Sequence, residues 1–71
     1  MPPYENLANA IILLAVDDYR DAFRDLKYNP RYVPALDTVS EVERFFRSGW
    51  FSALTSIDPE MLIQKLRSEV L

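Results

Sequence analysis

Residues 45–51, "FFRSGWF", decide how this chain folds, because four aromatic side chains surround the only glycine in the sequence. Glycine just past a helical stretch is the usual occupant of the C′ position, where positive φ costs it nothing. On that reading the upstream helix stops at Arg47 and Gly49 takes C′. Trp50 and Phe45 then become the C″ and C3 residues, whose side chains meet in a Schellman motif. The aromatics build a corner: Phe46 points inward, and either Phe51 or Trp50 covers the core as the chain turns toward Ile57. The competing reading makes whichever aromatic stays exposed a binding epitope.

Upstream of the corner, Ala35, Val39, Val42 and Phe46 share a narrow stripe opposite Asp37, Ser40, Glu41 and Arg44, which predicts an amphipathic helix from Pro34 to Arg47. The stretch "YNPRYVPAL" (28–36) carries Pro30 and Pro34 and reads as a connection. Residues 4–28 contain neither proline nor glycine and predict one long helix, starting just after Pro2 and Pro3 and ending near Asn29. At about 100° per residue, Ala8, Ile12, Ala15, Val16, Tyr19, Ala22, Phe23 and Leu26 fall on one broad face. Leu7, Leu13 and Leu14 break the pattern, projecting toward the side that turns polar further along.

Downstream, "WFSALTS" (50–56) predicts a short helical turn with Trp50, Leu54 and Ile57, or Phe51 and Leu54, on its inner side. The last helix opens at "IDPEMLIQKL" (57–66). Asp58 is a good N-cap, Pro59 suits the first helical position, and Glu60 favours the positive end of the dipole. Ile57 and Leu62 stand at the two positions of a hydrophobic staple. Leu62, Ile63, Leu66 and Val70 form its predicted buried stripe, with Gln64, Lys65 and Arg67 facing water. No run alternates with period two. The expectation is a single all-α domain over residues 1–71, a small antiparallel three-helix bundle with a short extra helical turn between the second and last long helices.

Composition narrows the function. The chain has 71 residues, 49% hydrophobic and 27% charged, without cysteine or histidine. The usual zinc, iron–sulfur and redox ligands are missing, together with the commonest general base, so no metal and no cofactor are expected. One glycine cannot make a phosphate-cradling loop. Lys27 and Lys65 are the only lysines that could activate a serine or threonine, and neither sits in an apolar context that would depress its pKa. Asp17, Asp18, Asp21 and Asp25 form a carboxylate run, but Arg20 and Arg24 are interleaved with them and predict a salt-bridged, solvated face. The expectation is a protein without enzymatic activity.

The longest apolar run, Ala10 to Val16, is far short of the roughly 20 residues that span a bilayer, and no basic leader precedes it. A cytoplasmic protein without a membrane anchor is expected. Net charge is −3. The outline helix, "RSGWFSA" turn, helix resembles a helix-turn-helix unit, in which Arg44, Arg47, Lys65 and Arg67 are the candidate phosphate contacts. Against it, Met61, Leu62 and Ile63 occupy the start of the last helix, where polar base readers belong. Residues 36–71 hold six acids against those four bases, so nucleic acid is an unfavoured partner.

The surplus apolar surface of the first helix is the strongest functional signal. Leu7, Leu13 and Leu14 cannot all be covered by two shorter helices, and a contiguous exposed patch marks an interface, with Trp50 and Phe51 as secondary candidates. The competing reading has the C-terminal helix and Tyr4 cover them. A protein–protein interaction module, alone or as a homodimer, is the leading expectation. The alternative is a regulator of nucleic-acid transactions, by weak direct contact or as an acidic decoy for a nucleic-acid-binding protein.

The stretches "EVERFFRSGWFSALTSIDPEMLIQKLRSEV" (41–70) and "DDYRDAFRDL" (17–26) resemble a group of small uncharacterised helical proteins encoded on prophages and integrative mobile elements of gut Firmicutes. That resemblance covers most of the chain. It implies a bacterial, cytosolic accessory protein of a mobile element, and it carries over no functional residue.

Overall fold

The computed structural model describes residues 3–70, with side-chain surroundings from residue 7 to residue 69. Four helices follow in order: α1 (Pro3–Tyr28), α2 (Val33–Phe46), α3 (Gly49–Leu54) and α4 (Pro59–Val70). Among the described residues there is no strand, and the all-α class expected from the sequence is observed. Val70 and Tyr4, assigned above to the last buried stripe and to a cover over α1, lie outside the described side chains.

Helix α1 has 26 residues, about 39 Å at 1.5 Å per residue, and so spans nearly the whole 41 Å long axis of the molecule. Asn29 closes the turn after it, its backbone oxygen accepting from the Tyr32 amide at 3.0 Å and its side chain from the Arg31 amide at 3.3 Å. The chain then reverses. A hydrogen bond and cavity linings place Asp25 near Tyr32, Tyr19 against Glu43, and Ile11 beside Phe45, so α2 runs antiparallel to α1. Helix α4 runs antiparallel to α2 in turn, with Arg47 meeting Glu60 and Glu43 meeting Arg67.

The core holds Ile12, Val16 and Tyr19 of α1, Val42 and Phe46 of α2, Phe51 of α3, and Ile63 and Leu66 of α4. Through it runs an aromatic ladder: Phe23 to Tyr19 (4.9 Å between centroids), Tyr19 to Phe46 (5.9 Å), Phe46 to Phe51 (5.4 Å) and Phe51 to Phe45 (5.7 Å). All four contacts are edge-on, with interplanar angles of 64° to 85°, and lie in the roughly 4.5–7 Å range where ring quadrupoles attract.

The corner forms, but by other means than a glycine C-cap. No residue with positive φ occurs among the described residues, and Gly49 is the first residue of α3. Ser48 does the work on both sides. Its hydroxyl donates to the Phe45 carbonyl at 2.6 Å, ending α2, and accepts from the Phe51 amide at 3.2 Å, starting α3. Its extended backbone, φ −81° and ψ 159°, is that of an N-cap. The Schellman assignment is therefore wrong: a serine cap for the following helix displaced it. The expected Phe45–Trp50 contact survives as an edge contact at 6.5 Å.

Of the two inner-face options for the short turn, Phe51 with Leu54 is the one realised, while Trp50 and Ile57 stay exposed. Asp58 caps α4 as expected, its carboxylate accepting from the Glu60 amide at 2.9 Å.

Candidate functional site

The exposed apolar surface of α1 comes chiefly from leucines that face off the core, since Ile12 and Val16 on either side of Leu13 and Leu14 are buried. Helices α2 and α4, with 14 and 12 residues, measure about 21 Å and 18 Å, so neither can cover the full length of α1. Leu7, Leu13 and Leu14 are 62%, 60% and 65% exposed. On the helical wheel Leu7 and Leu14 share one line, seven residues apart, and Leu13 lies about 100° to one side. The two secondary candidates part company: Trp50 is 63% exposed, whereas Phe51 at 1% is a core residue and drops out of the candidate surface. Ile57 and Met61, which sequence reasoning did not place on a surface, are exposed as well.

Beside Leu14, the flank of α1 and the edge of α2 enclose an open groove of about 320 Å³ with Ile11, Ala15, Val42 and Phe45 in its walls. A second cavity of about 410 Å³ lies further along the same pair of helices and shares Asp18, Glu41 and Val42 with the first. Asp21 and Asp25 line this second part. The expected salt-bridged face is thinner than the sequence suggested, because of the two interleaved arginines only Arg24 pairs with these aspartates, reaching Asp21 at 3.3 Å. Arg20 turns away and grips Glu69 through Nε and Nη2 at 3.0 and 3.2 Å. Among the described residues no group of three or more acids is placed to hold a metal ion.

The four basic candidates for phosphate contact divide in the same way. Arg47 holds Glu60 with two hydrogen bonds (2.6 and 3.1 Å) and reaches Glu43 at 3.3 Å. Arg67 donates to Glu43 at 2.5 Å and to the Tyr19 hydroxyl at 3.1 Å, its guanidinium also lying 6.0 Å from the Phe23 ring. These two are engaged with the chain's own acids. Arg44 and Lys65 are exposed. The structure does not bring the four together into one basic face.

Arg67 also corrects the expectation that it simply faces water. Together with Tyr19 and Glu43 it forms a buried-to-surface polar network that sequence reasoning missed. Tyr19 donates to Glu43 at 2.8 Å, and Glu43 is the one buried charged residue among those described. Burial pushes the Glu43 carboxyl upward, but hydrogen bonds from Arg67 and Tyr19 and the charges of Arg67 and Arg47 outweigh it, leaving the carboxyl below its ordinary range. Burial raises the Tyr19 phenol, with Glu43 adding to the shift and Arg67 opposing it. Glu43 holds Arg67 firmly protonated. Every buried side-chain polar atom described has a partner. The network ties α1, α2 and α4 together.

No protein-family model, curated protein or solved structure matches this chain. Geometry alone therefore ranks the candidate sites. The leucine surface of α1 and the groove beside it stand first, and the dispersed basic residues come last.

Proposed function

We propose that this protein is a small non-enzymatic interaction module, an accessory protein that works by protein–protein contact through the N-terminal half of α1. One observation carries the reading: three leucines, each about 60% exposed, lie on the N-terminal half of α1 off the face that Ile12 and Val16 bury in the core. Fully burying a leucine contributes about 1.5–3 kcal/mol, so each of these has about 1–2 kcal/mol still to gain. In a symmetric pair, six such leucines supply about 6–12 kcal/mol against an association cost of about 4–15 kcal/mol. Self-association through this patch alone is thus weak, and a partner that adds further contacts binds better. The bacterial mobile-element origin implied by the resemblance belongs to the same proposal.

Sedimentation equilibrium at high micromolar concentration, on the wild type and on Leu13→Glu and Leu14→Glu, tests the self-association form. Because the leucines are exposed, both variants should keep wild-type thermal stability while losing any concentration-dependent gain in mass. A strictly monomeric wild type removes the homodimer. Indifference of every binding partner to both variants removes the α1 surface altogether.

A further inference from the structure

The two cavities between α1 and α2 share Asp18, Glu41 and Val42, so they form one trough along the helix pair. Its chemistry changes along its length. Ile11, Leu14 and Phe45 make one end apolar, while Asp21 and Asp25 join the shared Asp18 and Glu41 at the other. No lysine or arginine lines either part. Arg20 and Arg67 are turned to other acids, Glu69 and Glu43, and of the four trough carboxylates only Asp21 has an ion-pair partner among the described residues, Arg24. Three carboxylates beside an apolar niche, Asp18, Asp25 and Glu41, are thus left without an ion-pair partner among the described residues in a chain already at −3.

We propose that this trough docks an amphipathic helix of a partner protein, with a large apolar side chain against Ile11, Leu14 and Phe45 and lysines or arginines over Asp18, Glu41 and Asp25. From Ile11 to Asp25 is 14 positions, about 21 Å of helix, which a partner segment of similar length fills. A second copy fits worse. Its own α1 arginines are occupied by Glu69 and Asp21, and each copy brings a net charge of −3. The inference rests on the interaction-module reading; the trough shares Leu14 with the leucine surface but excludes Leu13, which tells the two apart.

The test is fluorescence anisotropy with a labelled leucine–alanine–lysine helical peptide of about 16 residues, chosen to span the trough. The controls are its lysine-to-glutamate counterpart and a lysine homopolymer of equal charge. The amphipathic basic peptide should bind at least about tenfold tighter than either control, a difference of about 1.4 kcal/mol. Asp18→Asn with Glu41→Gln should weaken it about tenfold and steepen no salt dependence, and Leu14→Ser should weaken it without unfolding the protein by circular dichroism. Leu13→Glu should leave peptide affinity unchanged. Equal binding of the basic and acidic peptides, or binding of the homopolymer as tight as that of the amphipathic peptide, overturns the proposal. So does self-association that the Asp18→Asn, Glu41→Gln pair abolishes, because it hands the trough to a second copy. If no peptide binds while Leu13→Glu still changes the protein's mass, the trough is refuted and the leucine surface stands.

Discussion

Replacing Glu43 by glutamine should cost about 2 kcal/mol at neutral pH and almost nothing in acid. The carboxylate accepts from Tyr19 at 2.8 Å and from Arg67 at 2.5 Å, and glutamine keeps the shape while turning an NH₂ toward one of those donors. Hydrogen bonds to charged groups contribute about 1.5–3 kcal/mol each and neutral ones about 0.5–1.5. The half-exposed Arg67 side chain places its bond at the low end through solvent screening, and the Arg47 contact, in solvent, is counted as zero. For a domain of this size about 2 kcal/mol corresponds to roughly 8–16 °C in Tm. The sign of the pH dependence follows from the lowered carboxyl. A group whose folded pKa is depressed contributes stability above its unfolded value, about 4.3, and loses it as pH falls through the folded value. Thermal unfolding by circular dichroism at pH 7 should therefore show a wide gap between wild type and Glu43→Gln, closing well below pH 4. Glu60 is also held low, by its hydrogen bonds from Arg47, but it titrates in both proteins and cancels. A gap at pH 7 below about 0.5 kcal/mol, the value of an ordinary surface pair, refutes the reasoning, as does a gap that persists unchanged in acid.

Two further substitutions separate the corner's parts. A Cβ added to Gly49 meets nothing within 4 Å and the residue opens α3 without positive φ, so Gly49→Ala should be neutral or stabilising by up to about 1 kcal/mol, whereas Ser48→Ala, which removes the cap, should cost about 1 kcal/mol in urea unfolding. A destabilised Gly49→Ala would restore the glycine C-cap. Phe51→Ala should cost about 3–5 kcal/mol, enough to unfold much of so small a domain, while Trp50→Ala should stay within about 1 kcal/mol, since Phe51 is buried and Trp50 is not; comparable losses would overturn the assignment of core and surface.

What the sequence revealed and what it concealed divide along a physical line. Helix positions and the leucine surplus of α1 depend on periodicity and on length, both local properties, and they were legible. The corner was misread because two local signals competed within three residues. A glycine suited to a C-cap sits beside a serine suited to an N-cap, and only the direction taken by the next helix decides between them. The Tyr19–Glu43–Arg67 network left a trace that a helical wheel exposes. Arg67 is four residues from Ile63, about 40° beyond the last residue of the buried arc, and Glu43 stands about 40° beyond Val39 at the edge of its own arc. A charge bordering an apolar arc can reach a partner at the rim of the core. Which acid meets which base depends on how α2 and α4 are set against one another, and that register is tertiary.

The same division bears on where function can reside. The three long-range ion pairs among the described residues, Arg20–Glu69, Arg47–Glu60 and Arg67–Glu43, all end on α4, a helix that fully buries only Ile63 and Leu66. Helix α4 is therefore anchored by Ile63 and Leu66 and oriented by its ion pairs. The α1–α2 pair is held by the aromatic ladder and by small buried residues, Ala22 and Ala35. Chain acids near α4 are consumed in holding that helix, whereas Asp18, Asp25 and Glu41, on the opposite flank, have no such duty. Arginines that could have neutralised them have been drawn across the molecule to do it. The ion pairs on one side of α1 thus leave the trough on the other side acidic, and its apolar end is framed by the two helices that the aromatic ladder holds together. A binding surface placed there keeps its shape while its affinity remains tunable by charge.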